Sequence, residues 1–307
     1  MAAKEKAGAP VNALRRCYVS EPYEMAAHEL TEAYRERTLM PEDVLDNILA
    51  RMDSVEPALN AFCCRDDAGA RHAAYQSTAR WASGAPLGKL DGIPISVKDL
   101  VDVAGMPTRY GSAATDDSPA KIDAPCVLNL RTDGAIILGK TTTPEFGHKG
   151  VTDSPLTGVT RNPWNIGMTT GGSSGGAAAA LASGMGPLAV GTDGGGSCRK
   201  PANYCGLVGM KPSLGRVPLA ATGGFWPLSS PGPMTRNVRD AANLLAVMAR
   251  PQVSVPAGTF QAKHFVFPLR GSGKPPEHVW YHGDDLLLVK IRWDLLKTTY
   301  VLAKYEF

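Results

Sequence analysis

Two glycine-rich stretches that contain serine stand out in the chain: GGSSGG at residues 171–176 and TDGGGSCRKP at residues 192–201. No charged residue lies between Arg161 and Asp193. Glycine allows positive φ and lets backbone N–H groups approach a bound atom closely. A serine hydroxyl beside such N–H groups has the two parts that acyl transfer needs, a nucleophile and an oxyanion hole. No histidine accompanies either stretch, so a Ser-His pair would need a distant partner.

Composition points to a globular protein and excludes several classes. The chain has 307 residues, of which 44% are hydrophobic and 20% charged, and its net charge of +3 does not suggest nucleic-acid binding. The six cysteines form no paired CxxC motif, so no metal site is expected, and the N-terminus has no apolar signal segment. Pro163 and Pro187 interrupt the uncharged run, which excludes a membrane span. Reduced thiols in a cytoplasmic protein are therefore expected.

Apolar spacing predicts an N-terminal group of helices followed by alternating strands and helices. Helices are predicted over residues 25–38, from Pro41 onward, and over residues 66–83. Further along the chain, the predicted strands are residues 92–97, 134–139 and 188–190, and the predicted helices are residues 123–132 with Asp123 as cap, 174–183 and 235–249. This alternation indicates an α/β layer architecture.

The composition changes after Arg250. The last 57 residues hold nine of the 21 aromatic residues of the chain, and alanine becomes rare there. We therefore predict a boundary at Pro251.

Three simpler interpretations of the glycine-rich stretches compete with acyl transfer. Neither stretch matches the phosphate-binding pattern GxxxxGK[ST] or the dinucleotide pattern GxGxxG. Residues 171–175 do match the nucleophile-elbow pattern GxSxG, but residues 165–170 make a poor strand before it. Its histidine would have to come from the tail, from His264, His278 or His282. Alternatively, the glycines serve turns and the serines cap helices.

Five further motifs carry a family resemblance. They are DGIPISVKD at residues 91–99, GKTTTPEFG at 139–147, TRNPWN at 160–165, YCGLVGMKPSLGRV at 204–217 and GPMT at 232–235. With the two glycine-rich stretches, they make the chain resemble the amidase signature family over about residues 25–250. The resemblance implies a central mixed β-sheet flanked by helices on both faces. It implies a core over residues 1–250, with N-terminal helices at about 25–83 and a catalytic α/β part at about 90–250. Residues 251–307 would be a divergent tail, leaving the sheet incomplete at the C-terminus.

The resemblance also implies a catalytic unit of two serines and a lysine. Carried over, Ser197 is the nucleophile, Ser173 the bridging serine and Lys98 the base, at spacings of 75 and 24 residues. Ser174 is the neighbour most easily confused with Ser173. In the family the peptide bond before the bridging serine, here after Gly172, is cis. A lysine can act as a base only when neutral, so its usual pKa of about 10.4 has to fall, and burial is the force that lowers it.

Other residues around the nucleophile receive supporting roles from the same resemblance. The oxyanion hole would be formed by backbone N–H groups of Gly194, Gly195 and Gly196 together with that of Ser197. Asp193 and Arg199 would orient the loop behind it, as would Ser174, although a plain surface ion pair between Asp193 and Arg199 is the alternative. No metal ion or organic cofactor is implied.

The implied activity is hydrolysis of a carboxylic amide to an acid and ammonia through an acyl-enzyme, with a small-molecule amide as the ligand. Family chains are usually longer, and their last part forms much of the substrate pocket. Two alternatives therefore stay open: a glutamine-amidase-type subunit of a tRNA-dependent amidotransferase, and a truncated, weakly active remnant. A homodimer or a partner subunit is compatible with either.

Overall fold

The computed structural model describes residues 21–218 and 228–250, together with four strands of the segment after residue 250. The helices are α1 (Ala27–Glu36), α2 (Pro41–Leu59), α3 (Asp67–Ser83), α4 (Pro125–Thr132), α5 (Gly175–Ala182), α6 (Arg199–Tyr204) and α7 (Val238–Met248), with short 3-10 turns at Pro22–Glu24 and Glu145–Gly147. The strands up to residue 250 are β1 (Phe62–Arg65), β2 (Pro94–Lys98), β3 (Ile136–Thr141), β4 (Asp153–Ser154), β5 (Gly158–Val159), β6 (Arg161–Asn162), β7 (Asn165–Thr169), β8 (Leu188–Asp193), β9 (Val208–Gly209) and β10 (Ser230–Thr235). Those after it are β11 (Ala262–Phe267), β12 (Glu277–His282), β13 (Leu287–Trp293) and β14 (Thr298–Val301).

The N-terminal helices begin and end at the residues that local chemistry favours. Helix α2 starts at Pro41, and the carboxylate of Asp43 accepts the N–H of Met40 before it. Helix α3 starts after Asp66, whose side chain accepts the N–H of Gly69, and it ends at Gly84 with a φ of 74°. The apolar stripe of α2 is buried: Val44, Leu45, Ile48, Leu49 and Met52.

A six-stranded mixed sheet organises the part of the chain that carries the site. Its strand order is β1-β3-β2-β8-β10-β9. The central strands β3, β2 and β8 run parallel, whereas β1, β10 and β9 pair antiparallel with their neighbours. Every residue of β2, β3 and β8 is buried, as expected for parallel strands covered by helices. The chain is thus a mixed α/β protein with a central sheet flanked by helices.

Parallel pairing brings two chemically important strand ends together. In the register of β2 and β8, Val97 lies beside Val190. Lys98, directly after Val97 on β2, and Thr192, two residues after Val190 on β8, therefore emerge at the same edge of the sheet. Ligand sites in open α/β sheets form outside the carboxyl ends of such strands.

Three local predictions differ from the structure. Asp123 does not cap α4, which begins at Pro125; its carboxylate accepts the N–H of Ala104 and pairs with Arg131. The last helix begins at Val238 rather than at residue 235, because Asn237 caps it and accepts an N–H from its first turn.

The third difference lies before the first glycine-rich stretch. Residues 165–169 form β7, an exposed strand paired with β6, where the sequence predicts a poor strand. The pairing is a local hairpin, so β7 needs no buried apolar face of its own.

The segment after residue 250 contains a four-stranded antiparallel sheet in the order β11-β12-β13-β14. His264 lies on β11, and His278 and His282 lie on β12. The tail boundary at Pro251 stays a prediction.

Two features are absent from the described part of the chain. No helix within it combines the length and the apolar character needed to cross a membrane. It also contains no group of three or more His, Cys, Asp or Glu residues placed to hold a metal ion. Its cysteines are free thiols: Cys63, Cys64, Cys126, Cys198 and Cys205.

Candidate active site

Lys98 lies at the carboxyl end of β2 and is fully buried. Its Nζ lies 2.7 Å from the Oγ of Ser173 and 2.9 Å from the Oγ of Ser174. A third hydroxyl, the Oγ1 of Thr192 at the end of β8, lies 3.0 Å away. The amine is therefore surrounded by three uncharged hydroxyl groups.

A second fully buried lysine, Lys140, differs from Lys98 in having a counter-ion, and this difference bears on the protonation state of Lys98. The Nζ of Lys140 lies 3.3 Å from the carboxylate of Asp99, so its charge has a counter-ion. Within residues 21–218 and 228–250, no ion pair is found for Lys98. Burial lowers the pKa of Lys98 to about 7, although Cys198 and Asp193 nearby act in the opposite direction. Lys98 can thus be a neutral amine near neutral pH.

The hydrogen bonds distinguish the two adjacent serines. The Oγ of Ser174 donates its single proton to the carbonyl of Thr192, at 3.2 Å, so toward Lys98 it can only accept. For the Oγ of Ser173, Lys98 is the hydrogen-bond partner found within the described ranges. Ser173 is therefore free to donate its proton to the lone pair of a neutral Lys98.

Local backbone geometry holds the serines at this position. Ser174 is the residue before α5, and the Gly172–Ser173 peptide bond is cis, as the family resemblance implies. A Cβ on Gly172 would lie 2.6 Å from the carbonyl oxygen of Val151, so no larger residue fits here. Thr152, which no sequence motif indicated, accepts the N–H of Gly175 at 3.0 Å. Val151 and Thr152 thus form the support under the loop.

The second loop is organised around Asp193 at the end of β8. Its buried carboxylate accepts the N–H of Gly196 at 2.7 Å and that of Cys198 at 3.2 Å, and it pairs with the Arg199 guanidinium at 2.9 Å. Burial alone would raise the pKa of Asp193, but Arg199 and the backbone amides outweigh it and hold the pKa well below its usual range. Asp193 is fully buried, although Arg199 is exposed, so the two do not form a plain surface ion pair.

Ser197 lies in the loop that Asp193 holds in place. Its side chain is half-buried, whereas Ser173 and Lys98 are buried. Its carbonyl accepts the N–H of Ser174 at 3.1 Å, which ties the two loops together. Exposure of the three side chains thus increases from the lysine to Ser197.

One expected oxyanion-hole donor is already occupied. The φ of Gly196 is 109°, and the turn directs its N–H to Asp193 rather than into the cavity. The N–H groups of Gly194, Gly195 and Ser197 make no hydrogen bond to residues of the described ranges. These three amides are therefore the available candidate donors, whereas the N–H of Gly196 is bound to the Asp193 carboxylate.

A cavity of about 160 Å³ opens over the two loops. Its walls bring together the predicted Ser173, Ser197, Gly194 and Gly195. The remaining lining residues are Leu100, Gly147, His148, Lys149, Gly150, Thr192, Lys200 and Ser229. Sequence reasoning missed Thr192 and Lys200 as site residues, although both lie within the glycine-rich stretch at residues 192–201. The parallel pairing of β2, which ends at Lys98, with β8, which contains Thr192, would have been the signal for Thr192.

Comparisons with known proteins agree with the fold and identify the family. The family model described as Amidase matches residues 43–270. The chain is 39% identical over 240 residues to an acylamidase of Rhodococcus erythropolis, covering 78% of this chain and 50% of that protein. It is 40% identical over 236 residues to an indoleacetamide hydrolase of Bradyrhizobium diazoefficiens, covering 74% and 45%. It is also 40% identical over 228 residues to a glutamyl-tRNA(Gln) amidotransferase subunit of Roseiflexus castenholzii, covering 74% and 46%.

Solved structures of amidases also resemble this chain. A bacterial aryl acylamidase of the amidase signature family superposes with a TM-score of 0.68 at 35% identity, covering 73% of this chain and 47% of that one. The peptide amidase of Stenotrophomonas maltophilia superposes with a TM-score of 0.69 at 32% identity, covering 75% and 49%. The chain therefore belongs to the amidase signature family.

The chain spans about half the length of the curated relatives it matches. The family match reaches residue 270, beyond the change of composition at Pro251.

Proposed function

We propose that the chain hydrolyses carboxylic amides of the form R–CO–NH₂ through an acyl-enzyme, with Ser197 as nucleophile, Ser173 as proton relay and Lys98 as base. The observation that carries the proposal is the 2.7 Å hydrogen bond between Lys98 Nζ and Ser173 Oγ, beneath a cavity that Ser197 also lines. A buried amine with a pKa of about 7 is neutral in a large fraction of molecules at neutral pH. Ser-Lys arrangements are a known alternative to Ser-His-Asp.

Acylation follows from the order of the three groups. Ser197 Oγ attacks the carbonyl carbon while its proton passes to Ser173, and the proton of Ser173 passes to Lys98. The C–N bond then breaks as Lys98 returns a proton through Ser173 to the leaving nitrogen, which departs as ammonia. Water hydrolyses the acyl-enzyme by the same relay, releasing the acid and restoring the Ser197 hydroxyl.

The negative charge that develops on the carbonyl oxygen needs donors that are not otherwise engaged. The N–H groups of Gly194, Gly195 and Ser197 are suited to this role, because Asp193 holds the loop from behind through Gly196 and Cys198. One such preorganised donor typically contributes about 10²–10³ in rate. No step requires a metal ion or an organic cofactor.

Ammonia release from a panel of simple amides tests the proposal. Replacing Ser197 with alanine should lower the rate by about a thousandfold or more, because the residue that forms the covalent bond is gone. Ser83→Ala, on the exposed end of α3, is the matched control. Labelling with a fluorophosphonate, mapped by mass spectrometry, should modify Ser197. Modification of Ser173 instead would reverse the two serine roles.

A second candidate is an amidotransferase-type amidase that needs a partner subunit. It is supported by the 40% identity to a glutamyl-tRNA(Gln) amidotransferase subunit. Activity that appears only after a partner subunit is added would favour it. Absence of activity in both conditions would favour a weakly active remnant, and sedimentation would report whether the chain forms a homodimer.

A further inference from the structure

The walls of the cavity carry basic side chains and no acidic one. His148, Lys149 and Lys200 line it, and none of its lining residues is Asp or Glu. Asp193 lies behind the loop, fully buried and paired with Arg199. A ligand in the cavity therefore meets a positive field that no neighbouring carboxylate in its wall cancels.

Two of the three basic groups already have partners. The ammonium of Lys149 pairs with the Asp153 carboxylate, and the Nδ1–H of His148 donates to the carbonyl of Glu145 at 2.6 Å. For the Nζ of Lys200, no hydrogen bond or ion pair is found in residues 21–218 or 228–250. Lys200 is thus the lining cation whose charge is available to a ligand.

The position of Lys200 is set by the nucleophile loop itself. Its backbone N–H donates to the carbonyl of Gly196 at 2.7 Å, and a Cβ on Gly196 would lie 2.7 Å from its Cε. Its Nζ is 3.7 Å from where a Cβ on Gly150 would lie, on the other wall. The aliphatic stem therefore lies along the loop that contains Ser197, and the ammonium lies at the rim above it.

This position is unfavourable for a free cation. Lys200 is in the first turn of α6, where the helix dipole disfavours positive charge. The unfavourable interaction of Arg199 with the same helix end is offset by its ion pair with Asp193. Within the described ranges, Lys200 has no such ion pair. A lysine at position 200 therefore does not stabilise α6.

We propose that Lys200 binds a carboxylate of the substrate, so that the site selects short amides that also carry an acid group. This inference rests on the proposed amidase function and names its substrate class. A charge-assisted hydrogen bond from the Lys200 ammonium would orient the amide over Ser197. Lys200 and Ser197 line the same cavity of about 160 Å³, which suits a short acid amide such as the monoamide of a short dicarboxylic acid.

The test compares succinamate with butyramide, a neutral amide of similar length. The wild-type chain should show the higher kcat/KM for succinamate, and Lys200→Met, which keeps the stem but removes the charge, should lower the ratio about tenfold or more, mainly through KM. Lys121→Met removes the same charge from an exposed site outside the cavity and should retain the ratio. Equal ratios in wild type and Lys200→Met would overturn the inference.

A binding measurement separates this inference from the proposed function. Succinate, the product, can be titrated into the wild-type chain and both lysine variants by calorimetry, whether or not the chain releases ammonia. Binding that Lys200→Met weakens about tenfold or more, and Lys121→Met does not, supports the carboxylate site even if hydrolysis fails. No binding, or equal binding in all three chains, would exclude it. Circular dichroism of each variant checks that the fold is kept.

Discussion

Lys98 Nζ lies 2.7 Å from Ser173 Oγ, although 75 residues separate the two in the chain. Three structural elements produce this proximity. Strand β2 ends at Lys98, and the parallel strand β8 places Thr192 beside it. The loop before α5 places the Ser173 hydroxyl within hydrogen-bond distance of the Lys98 amine. The result is a buried amine with hydroxyl partners and no counter-ion within the described ranges.

The rate of amide hydrolysis should rise with pH through about 7. Lys98 is an effective base only when neutral, and its pKa is lowered to about 7 by burial. We therefore expect kcat/KM to increase about tenfold per pH unit below this value and to level off above it. The measurement is ammonia release between pH 5 and 9. A rate that stays constant over this range would contradict Lys98 as the base.

The free energy of unfolding should also depend on pH through the lowered pKa of Lys98, and the sign of this dependence can be predicted. The folded pKa of Lys98, about 7, is below its ordinary value of 10.5, so between these values the unfolded state binds more protons. The free energy of unfolding should therefore rise with pH in this window, by about 1.4 kcal/mol per pH unit for one proton. Lys98→Met should be more stable than wild type at pH 7, and the difference should shrink toward pH 10. Urea unfolding of both chains measures it, and parallel curves would contradict the prediction.

Replacing the two adjacent serines should have unequal effects. Ser173→Ala removes the proton relay and should lower kcat by about 10²–10⁴. Ser174→Ala removes a hydroxyl that accepts from Lys98 and donates to the Thr192 carbonyl but leaves the relay in place, so its cost should be only about tenfold. Steady-state kinetics of both variants decide the matter. A larger loss in Ser174→Ala would assign the relay to Ser174.

Asp193→Asn should loosen the nucleophile loop. An amide nitrogen cannot accept a hydrogen bond, so Gly196, Cys198 or Arg199 loses its acceptor. We expect a loss of about 1.5–3 kcal/mol in the free energy of unfolding, together with reduced kcat.

The pH dependence of that loss also has a definite sign. The folded pKa of Asp193 is depressed, so its contribution is present above the ordinary pKa of about 3.9 and declines as the pH falls below it. The difference between wild type and Asp193→Asn should therefore be constant near neutrality and shrink in acid. Unfolding by urea at pH 7 and at pH 3 provides the comparison. Arg199→Met keeps the backbone bonds but raises the folded pKa of Asp193, so the decline should be smaller and should end at a higher pH.

Local signals predict the elements whose residues are chemically uniform. The apolar runs that form β2, β3 and β8 are buried on both faces, so composition alone marks them as strands. The same signals do not predict strand β10, because Pro231 and Pro233 argue against a strand. It forms because β9 pairs only with its last two residues, Met234 and Thr235, and the prolines lie where β8 is its single neighbour.

The sequence by itself determined the family, the sheet-forming segments and the identity of Lys98, Ser173 and Ser197 as the residues to examine, because those motifs are local and specific. Tertiary structure alone decided which serine can donate to the lysine, that the Gly196 N–H is engaged by Asp193, and that Thr192 and Lys200 face the cavity. These points depend on the directions of hydrogen bonds and on burial between segments far apart in the chain. Such directions arise from strand register and loop geometry, which residue types do not encode one by one.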